Sequence, residues 1–301
     1  MATFLILAHR DLKHLLLLIE SLSGHRIFVH VDRKSKKLRK EIDLLPFNPK
    51  VTILNQEKCV NIKWGGFTQV QAMLVLIQEA LPMMKNEEKL MFLSGSDMLI
   101  QSSAMLSKVL DHEPHREFLR YFPLDARKKD LRRWRSYHRW DLRFLSKKRG
   151  GIIYRANSLF IRIMGIFETI LRGAKMNPGF ELFSGSQWFA VSKECAEEIL
   201  RLRSKSFDKF FESMFAPDEV YFATLFSLSS FSKANVDGGP MLCHNGISRV
   251  WQARNLTYVD ESLDRWLNLE DLDSIRESGF IFARKFDSEL SRDLIAELRK
   301  S

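Results

Sequence analysis

The sequence predicts an α/β protein with a mainly parallel central sheet flanked by helices. Short apolar runs, typical of strands that are buried on both faces, recur along the chain. Stretches with a helical pattern separate these runs, and strands that alternate with helices favour a parallel sheet. The 301 residues, 45% of them hydrophobic, are enough to bury the core of one large domain.

The elements follow one another in a regular order. The predicted strands are residues 3–8, 26–32, 51–54, 89–93 and 189–192, and the predicted helices are residues 11–22, 68–81, 193–202 and 217–228. Polar segments follow three of the strands, namely His9-Arg10, Asp32-Arg33 and Ser94-Gly95-Ser96-Asp97. Ligands of such sheets bind beyond the carboxyl ends of the strands, so we expect these segments to line a binding site.

The middle of the chain has a different character. Residues 127–149 contain eleven Lys and Arg against two Asp, interleaved with aromatic residues. Nucleic-acid binding, stacking of an acceptor sugar on the aromatic rings, and a plain solvated face are all open interpretations. Residues 158–171 are apolar almost all round, which favours a buried helix over a helix on a membrane surface. We expect one domain, residues 1–301, with an inserted basic and apolar segment at about 113–175.

Composition limits the class of protein. A net charge of +10 favours acidic partners, such as nucleotide phosphates, nucleic acid or an anionic membrane. The three scattered cysteines exclude a disulfide framework and a zinc site. The first apolar run is too short for a targeting segment, and no run approaches the roughly 18 residues of a membrane span. We therefore expect a cytoplasmic location, with peripheral attachment to the inner membrane as an extension of it.

Two separated segments carry the strongest chemical signal. Ala216-Pro217-Asp218-Glu219 opens a predicted helix, where carboxylates either complement the helix dipole or leave one ionised group available as a base. Phe282-Ala283-Arg284-Lys285-Phe286 places two cations in a short apolar run. These cations are either a charged pair on an edge strand or a pair that neutralises a diphosphate.

A metal site has little support in the sequence. The only Asp-x-Asp triplet is Asp271-Leu272-Asp273, at a predicted helix start where capping is the favoured role. The eight histidines are dispersed without the spacing of metal ligands. We therefore expect no metal and no other cofactor.

Taken in order, the motifs resemble the core-2/I-branching N-acetylglucosaminyltransferase family, which also contains the peptide xylosyltransferases. The matching segments are residues 6–10, 29–34, 64–72, 92–97, 183–192, 216–219 and 282–286. They extend over nearly the whole chain in the family's order. The resemblance implies a GT-A-like fold and an inverting, metal-independent transfer from a UDP-sugar, with GlcNAc as the expected sugar and a β-linkage in the product.

The resemblance also implies roles for individual residues at the donor. Glu219 matches the family's catalytic base, Lys285 its diphosphate-binding lysine, and Asp32 the aspartate at the nucleotide. A second diphosphate arginine lies upstream of the lysine in the family, and Arg249, Arg254 and Arg265 compete for that position. The remaining expected donor residues are His9, Arg10, Asp97 and Arg284.

The acceptor side is less defined, because residues 113–175 have no convincing match to the family. We expect Asp218, Trp188, Arg133 and Trp134 to contact a glycan or lipid-linked acceptor of bacterial surface polysaccharide or lipopolysaccharide. The membrane anchor, stem and disulfides of animal members have no counterpart here, so the resemblance is to a compact bacterial member. A nucleic-acid-binding protein using residues 127–149, a xylosyltransferase-like enzyme with another donor, and a non-catalytic sugar-binding relative are the alternatives. We expect no nucleic acid among the partners.

Overall fold

The structure of the protein, a computed structural model, describes residues 1–112, 115–124, 137–138, 152–172, 179–241, 253–262 and 265–300. The strands in these ranges are β1 (Thr3–Ala8), β2 (Arg26–Val31), β3 (Val51–Ile53), β4 (Lys89–Ser94), β5 (Asp97–Leu99), β6 (Tyr121–Pro123), β7 (Phe183–Gly185), β8 (Ala190–Ser192), β9 (Thr257–Val259) and β10 (Phe282–Arg284). The helices are α1 (Leu12–Ser21), α2 (Lys36–Ile42), α3 (Thr68–Ala80), α4 (Ser103–His112), α5 (Ile152–Arg172), α6 (Lys193–Leu202), α7 (Lys205–Phe211), α8 (Tyr221–Leu228), α9 (Leu272–Glu277) and α10 (Arg292–Leu298). Single 3₁₀ turns are Leu81–Met83, Pro217–Glu219 and Leu269–Asp271.

The central sheet has five strands in the order β3-β2-β1-β4-β8. Strands β1 to β4 are mutually parallel, and β8 pairs antiparallel with β4. The predicted mainly parallel α/β architecture is therefore confirmed. The five predicted strands begin and end within one residue of the observed strands of this sheet.

Both faces of the sheet are covered, which explains the continuous apolar run of β1. Successive side chains of a strand point to opposite faces. Phe4 and Ile6 accordingly join one core with α1, whereas Leu5 and Leu7 join the other core with α3. A strand buried on both sides has no polar alternation, so its sequence is apolar throughout.

A second, three-stranded sheet has the order β5-β10-β9. Strand β10 lies in its middle, antiparallel to β5 and parallel to β9. The interpretation of residues 282–286 as an edge strand is therefore wrong. The chain reaches β5 from β4 through Gly95, where an added Cβ would lie 3.3 Å from Cα and Cβ of Ala8. A close passage of backbone against β1 thus connects the two sheets.

The predicted helix over residues 217–228 is interrupted. Pro217–Glu219 forms a 3₁₀ turn, and α8 begins only at Tyr221. Ala216, just before the turn, has φ 47° and ψ 59°, the left-handed conformation that costs a residue with a Cβ roughly 1–2 kcal/mol. The two carboxylates therefore lie in a separate turn, which follows the left-handed Ala216, rather than in the first turn of the helix.

The prediction that residues 158–171 form a buried helix is also wrong. Helix α5 exists, but most of its large apolar side chains are exposed, and Ile161 is the buried exception among those described. The helix turns its small and polar side toward the protein. Among the helices of the described ranges, none combines the length and hydropathy that crossing a bilayer requires.

Candidate active site

Ionisable side chains that follow three strands, two of the central sheet and one of the second sheet, meet beyond the carboxyl edge of the central sheet. His9 follows β1, Asp32 follows β2, and Lys285 follows β10. His9 is open to solvent on one side, and the protein enclosing its other side lowers the pKa of its imidazole. The positive charges of Arg10, Lys34 and Lys285 lower this pKa further, and the Asp32 carboxylate raises it. The predicted residues His9, Arg10, Asp32 and Lys285 are therefore brought together.

Asp32 is fixed by its surroundings. Its side chain is buried, and its Oδ1 accepts hydrogen bonds from the backbone N–H groups of Lys34 (3.2 Å) and Ile62 (3.3 Å). The Lys34 ammonium lies 3.2 Å from Oδ2 and also donates to the Ile62 carbonyl. A carboxylate that accepts several hydrogen bonds in a fixed position is well suited to orient a ligand.

Trp266 connects two of the cations, although no motif marks it as a site residue. The guanidinium carbon of Arg10 lies 4.3 Å from the centre of the Trp266 ring, and Nζ of Lys285 lies 5.5 Å from it. Both distances are in the range of cation–π attraction. Arg10 also forms an ion pair with Asp287, which precedes α10. The indole therefore keeps these two positive side chains close to one another.

Arg284, the residue before Lys285, has a largely buried side chain. Its Nε is 3.6 Å from Oδ1 of the fully buried Asp97, and its guanidinium carbon is 4.2 Å above the ring of Trp188. Burial raises the pKa of Asp97 to about 6, although Arg284 and the Ser94 N–H donated to Oδ2 (2.9 Å) both favour the ionised form. At 3.6 Å the ion pair only partly compensates for the loss of water around the carboxylate.

His14 is a second residue that the motifs do not reveal. Its imidazole is buried in α1, Nε2 lies 2.9 Å from the Asp97 backbone oxygen, and the ring stacks on Phe286 at 5.9 Å. Burial lowers the pKa of His14, so the neutral ring is favoured. His14 thus ties α1 to both Asp97 and the segment carrying Lys285. Its helical spacing with buried leucines is the only signal in the sequence, and this indicates burial alone.

The turn that carries Glu219 is held by the glycine loop before α3. Gly65 has φ 78°, a value that favours glycine, and its carbonyl accepts a 2.8 Å hydrogen bond from the Ala216 N–H. Asp218 is buried, and Glu219 is half-buried. The tandem glycines therefore serve as a turn, as their sequence context favours, and they support the candidate base.

A chain of contacts links this turn to the cations. The side-chain amide of Gln69, at the start of α3, donates to the side-chain oxygen of Gln187. The adjacent Trp188 has 8% of its surface exposed and supports the guanidinium of Arg284. The role predicted for Trp188 in acceptor binding stays a prediction, because the contact that the structure shows is with Arg284.

Two of the competing upstream arginines, Arg254 and Arg265, contact residues on and around β9. Arg265 forms ion pairs with Asp260 (3.0 Å) and Asp271 (2.5 Å). Arg254 lies 4.8 Å from the ring centre of Phe280 and donates to the Val259 carbonyl. Both line an open pocket of about 560 Å³ beside β9 and α9.

Three other predicted site residues, Arg249, Arg133 and Trp134, lie outside the described residues. Asp271 of the Asp-x-Asp triplet forms a capping box with Asn268, so its predicted capping role is confirmed. Within the described ranges, no group of three or more His, Cys, Asp or Glu is arranged to hold a metal ion.

Comparison with known proteins supports the family resemblance that the motifs indicate. The family model described as "Core-2/I-Branching enzyme" matches residues 2–244. A protein named "Xylosyltransferase" from Ciona intestinalis is 22% identical over an alignment of 312 positions, which covers 97% of this chain and 32% of that protein. The chain thus spans about a third of this relative's length.

A solved structure, mannose-1-phosphate geranyltransferase from Thermus thermophilus, is similar over 74% of this chain and 72% of its own. Its identity is 13% and its TM-score 0.33. The assignment of the chain to a family therefore depends on the sequence matches.

Proposed function

We propose that this chain, which belongs to the Core-2/I-Branching enzyme family, is an inverting glycosyltransferase that moves GlcNAc from UDP-GlcNAc to a glycan hydroxyl without a metal. The family and the named relative make it a glycosyltransferase. The single observation that supports the finer proposal is the meeting of His9, Arg10, Asp32 and Lys285 at the carboxyl end of the sheet. This is where nucleotides bind in open α/β sheets.

The nucleotide binds, in this proposal, against the ends of β1 and β2. The fixed carboxylate of Asp32 accepts a hydrogen bond from a hydroxyl or N–H group of the nucleoside. His9 is next to it, and its depressed pKa keeps the imidazole neutral at physiological pH. A neutral ring avoids further positive charge and leaves one nitrogen to accept a hydrogen bond.

The diphosphate is proposed to lie between the cations. Lys285 supplies a point charge, Arg10 supplies a planar fork, and Trp266 holds both in place. Negative charge grows on the departing UDP as the bond to the sugar breaks. Fixed cations stabilise that charge, an electrostatic contribution worth several kcal/mol in enzyme sites. Arg284 also contributes to stabilising this charge, although Asp97 offsets part of its positive charge.

Glu219 is the proposed general base. Its carboxylate takes the proton of the acceptor hydroxyl while the oxygen attacks C1 of the donor sugar. The bond between C1 and the diphosphate oxygen breaks at the same time, and its electron pair leaves with UDP. Attack from the opposite face converts an α-linked donor into a β-linked product. Glu219 is half-buried, so the residue keeps part of its surface open to solvent, and a base for an acceptor hydroxyl requires such exposure.

The acceptor is proposed to be a lipid-linked or polymeric glycan of a bacterial surface polysaccharide, built at the cytoplasmic side of the membrane. The named relative provides a specific reason for a second candidate donor. Because that protein is a xylosyltransferase by name, UDP-xylose is the alternative to UDP-GlcNAc.

A panel of nucleotide sugars tests the proposal. The protein is incubated without acceptor, and release of UDP or another nucleotide is measured. We expect slow hydrolysis of UDP-GlcNAc, less of UDP-xylose, UDP-glucose and UDP-galactose, and none of GDP- or ADP-sugars. Lys285→Ala should lower the rate, whereas Lys300→Ala, at an exposed lysine near the end of α10, should not. No hydrolysis of any UDP-sugar, together with salt-sensitive RNA or DNA binding, would instead support the nucleic-acid alternative.

A further inference from the structure

We infer that α5 is a membrane-docking helix, which lies in the interface of an anionic lipid bilayer and holds the active site against it. This inference builds on the proposed function, because it states where that site meets its acceptor. It starts from the orientation of α5, whose apolar side points away from the protein.

The exposed side of α5 is a continuous apolar surface. Its members include Leu159, Ile163, Ile166, Phe167, Ile170 and Leu171, with 55% of Ile163, 60% of Ile166 and 74% of Ile170 exposed. At 3.6 residues per turn these side chains occupy an arc of about 140° on a helix about 31 Å long. Contiguous apolar surface of this kind marks an interaction site.

The opposite side of α5 is built to pack. It carries Asn157, Ser158, Ile161, Gly165 and Thr169, which are buried or half-buried. An added Cβ on Gly165 would collide with the Tyr137 carbonyl oxygen, so the backbone of α5 lies directly on residues 137–138. The orientation is therefore fixed by close packing of a small residue, and the apolar arc cannot turn inward without losing this contact.

Charge favours an anionic bilayer as the occupant. Arg155 and Arg162 are exposed and flank one edge of the apolar arc, where long basic side chains reach lipid headgroups while the apolar face lies deeper. The chain carries a net charge of +10, and residues 127–149 are strongly basic. Such charge is attracted to anionic lipid, and it opposes the approach of a second copy of the same chain.

The position of α5 connects this surface to catalysis. Residues 137–138, on which Gly165 packs, are connected to the segment before the turn that carries Glu219. The His138 N–H donates a 2.7 Å hydrogen bond to the Ser213 carbonyl. Ser213 precedes Ala216 by three residues, and the His138 ring also contacts Phe215. A bilayer bound by α5 would therefore present a lipid-linked acceptor on the side of Glu219.

Flotation with vesicles tests the inference on the full chain. We expect the wild type to bind vesicles of phosphatidylcholine with phosphatidylglycerol, to bind phosphatidylcholine alone weakly, and to lose part of the anionic binding in high salt. The triple variant Ile163→Gln, Ile166→Gln, Ile170→Gln should lower the partition coefficient at least about tenfold. The matched control is Leu44→Gln, Met83→Gln, Leu290→Gln, three equally exposed apolar residues elsewhere, and it should bind as the wild type does.

The outcomes separate this inference from the proposed transferase activity. The inference is overturned if the wild type binds neither kind of vesicle, or if the α5 triple variant binds as strongly as the wild type. Either result counts whatever the rate of UDP-sugar hydrolysis. A wild-type dimer in light scattering that the α5 triple variant converts to a monomer also overturns it, because a second copy then covers the face. Ile166→Trp, which keeps the face apolar, gives an independent measurement. Its emission should shift to the blue on adding anionic vesicles, and an unchanged spectrum contradicts docking.

Discussion

Replacing Asp97 by asparagine should change the stability of the protein in a manner that depends on pH. Burial raises the pKa of Asp97 from its ordinary 3.8 to about 6. In the folded state the carboxyl group therefore holds its proton up to a higher pH than in the unfolded state. The stability that protonated Asp97 provides is complete below pH 3.8 and is lost as pH rises through 6.

The size of the effect between pH 5 and pH 8 follows from these values. The folded-state pKa is about one unit above pH 5, and one unit corresponds to about 1.4 kcal/mol. The wild type should therefore lose about 1.4 kcal/mol of unfolding free energy over this interval through Asp97. Asp97→Asn cannot ionise and has no such loss. The stability of the variant relative to the wild type should thus increase by about 1.4 kcal/mol from pH 5 to pH 8.

Urea unfolding of both proteins at pH 5 and pH 8, followed by tryptophan fluorescence, measures this difference. Histidines and other groups that titrate in both proteins cancel in the comparison. Asp293→Asn, which removes an exposed carboxylate from α10, is the control. Its stability relative to the wild type should not show the change with pH that burial causes at Asp97. A relative stability of Asp97→Asn that is constant from pH 5 to pH 8 would refute the reasoning. It would show that the ion pair with Arg284 outweighs burial and keeps Asp97 ionised.

Three further predictions concern the donor site and its framework. Activity should persist in excess EDTA, and complete loss that Mn²⁺ restores would contradict the use of cations in place of a metal. Lys285→Ala should weaken UDP binding, measured by calorimetry, by about 1.5–3 kcal/mol, the range for hydrogen bonds to charged groups, and the control Lys300→Ala should leave it unchanged. Equal UDP affinities of Lys285→Ala and the wild type would show that the diphosphate binds elsewhere. Gly95→Ala places a Cβ 3.3 Å from Ala8 and should cost about 1–3 kcal/mol in urea unfolding; unchanged stability would mean that β1 and this turn separate easily.

The central sheet was predictable from sequence because its strands are covered on both faces. An apolar run such as residues 3–8 has one stable position, and polar residues after it mark the end of the strand. The second sheet was not predictable in the same way. Strands β5 and β10 are three residues each, and they pair across a separation of nearly two hundred residues. Their sequences are too short to specify a partner without the rest of the fold.

Within the candidate site, predictability followed the same distinction. His9 and Asp32 could be assigned because each follows a strand of the central sheet. Trp266 could not, since its place between Arg10 and Lys285 results from the tertiary arrangement of segments distant in sequence. The orientation of α5 was predicted wrongly, because a helix that is apolar almost all round does not indicate which side packs. Gly165 decides this by allowing close contact with Tyr137.

The role of Glu219 is the central claim, and the turnover of Glu219→Gln tests it most directly. The variant keeps the shape of the side chain in the Pro217–Glu219 turn but cannot accept the acceptor proton. We predict a fall in kcat of at least about a hundredfold, with UDP affinity unchanged in calorimetry. Glu212→Gln, at an exposed carboxylate earlier in the same segment, should retain full turnover. Turnover of Glu219→Gln close to the wild-type value, with UDP still bound, would contradict the account and make Asp218 the next group to test.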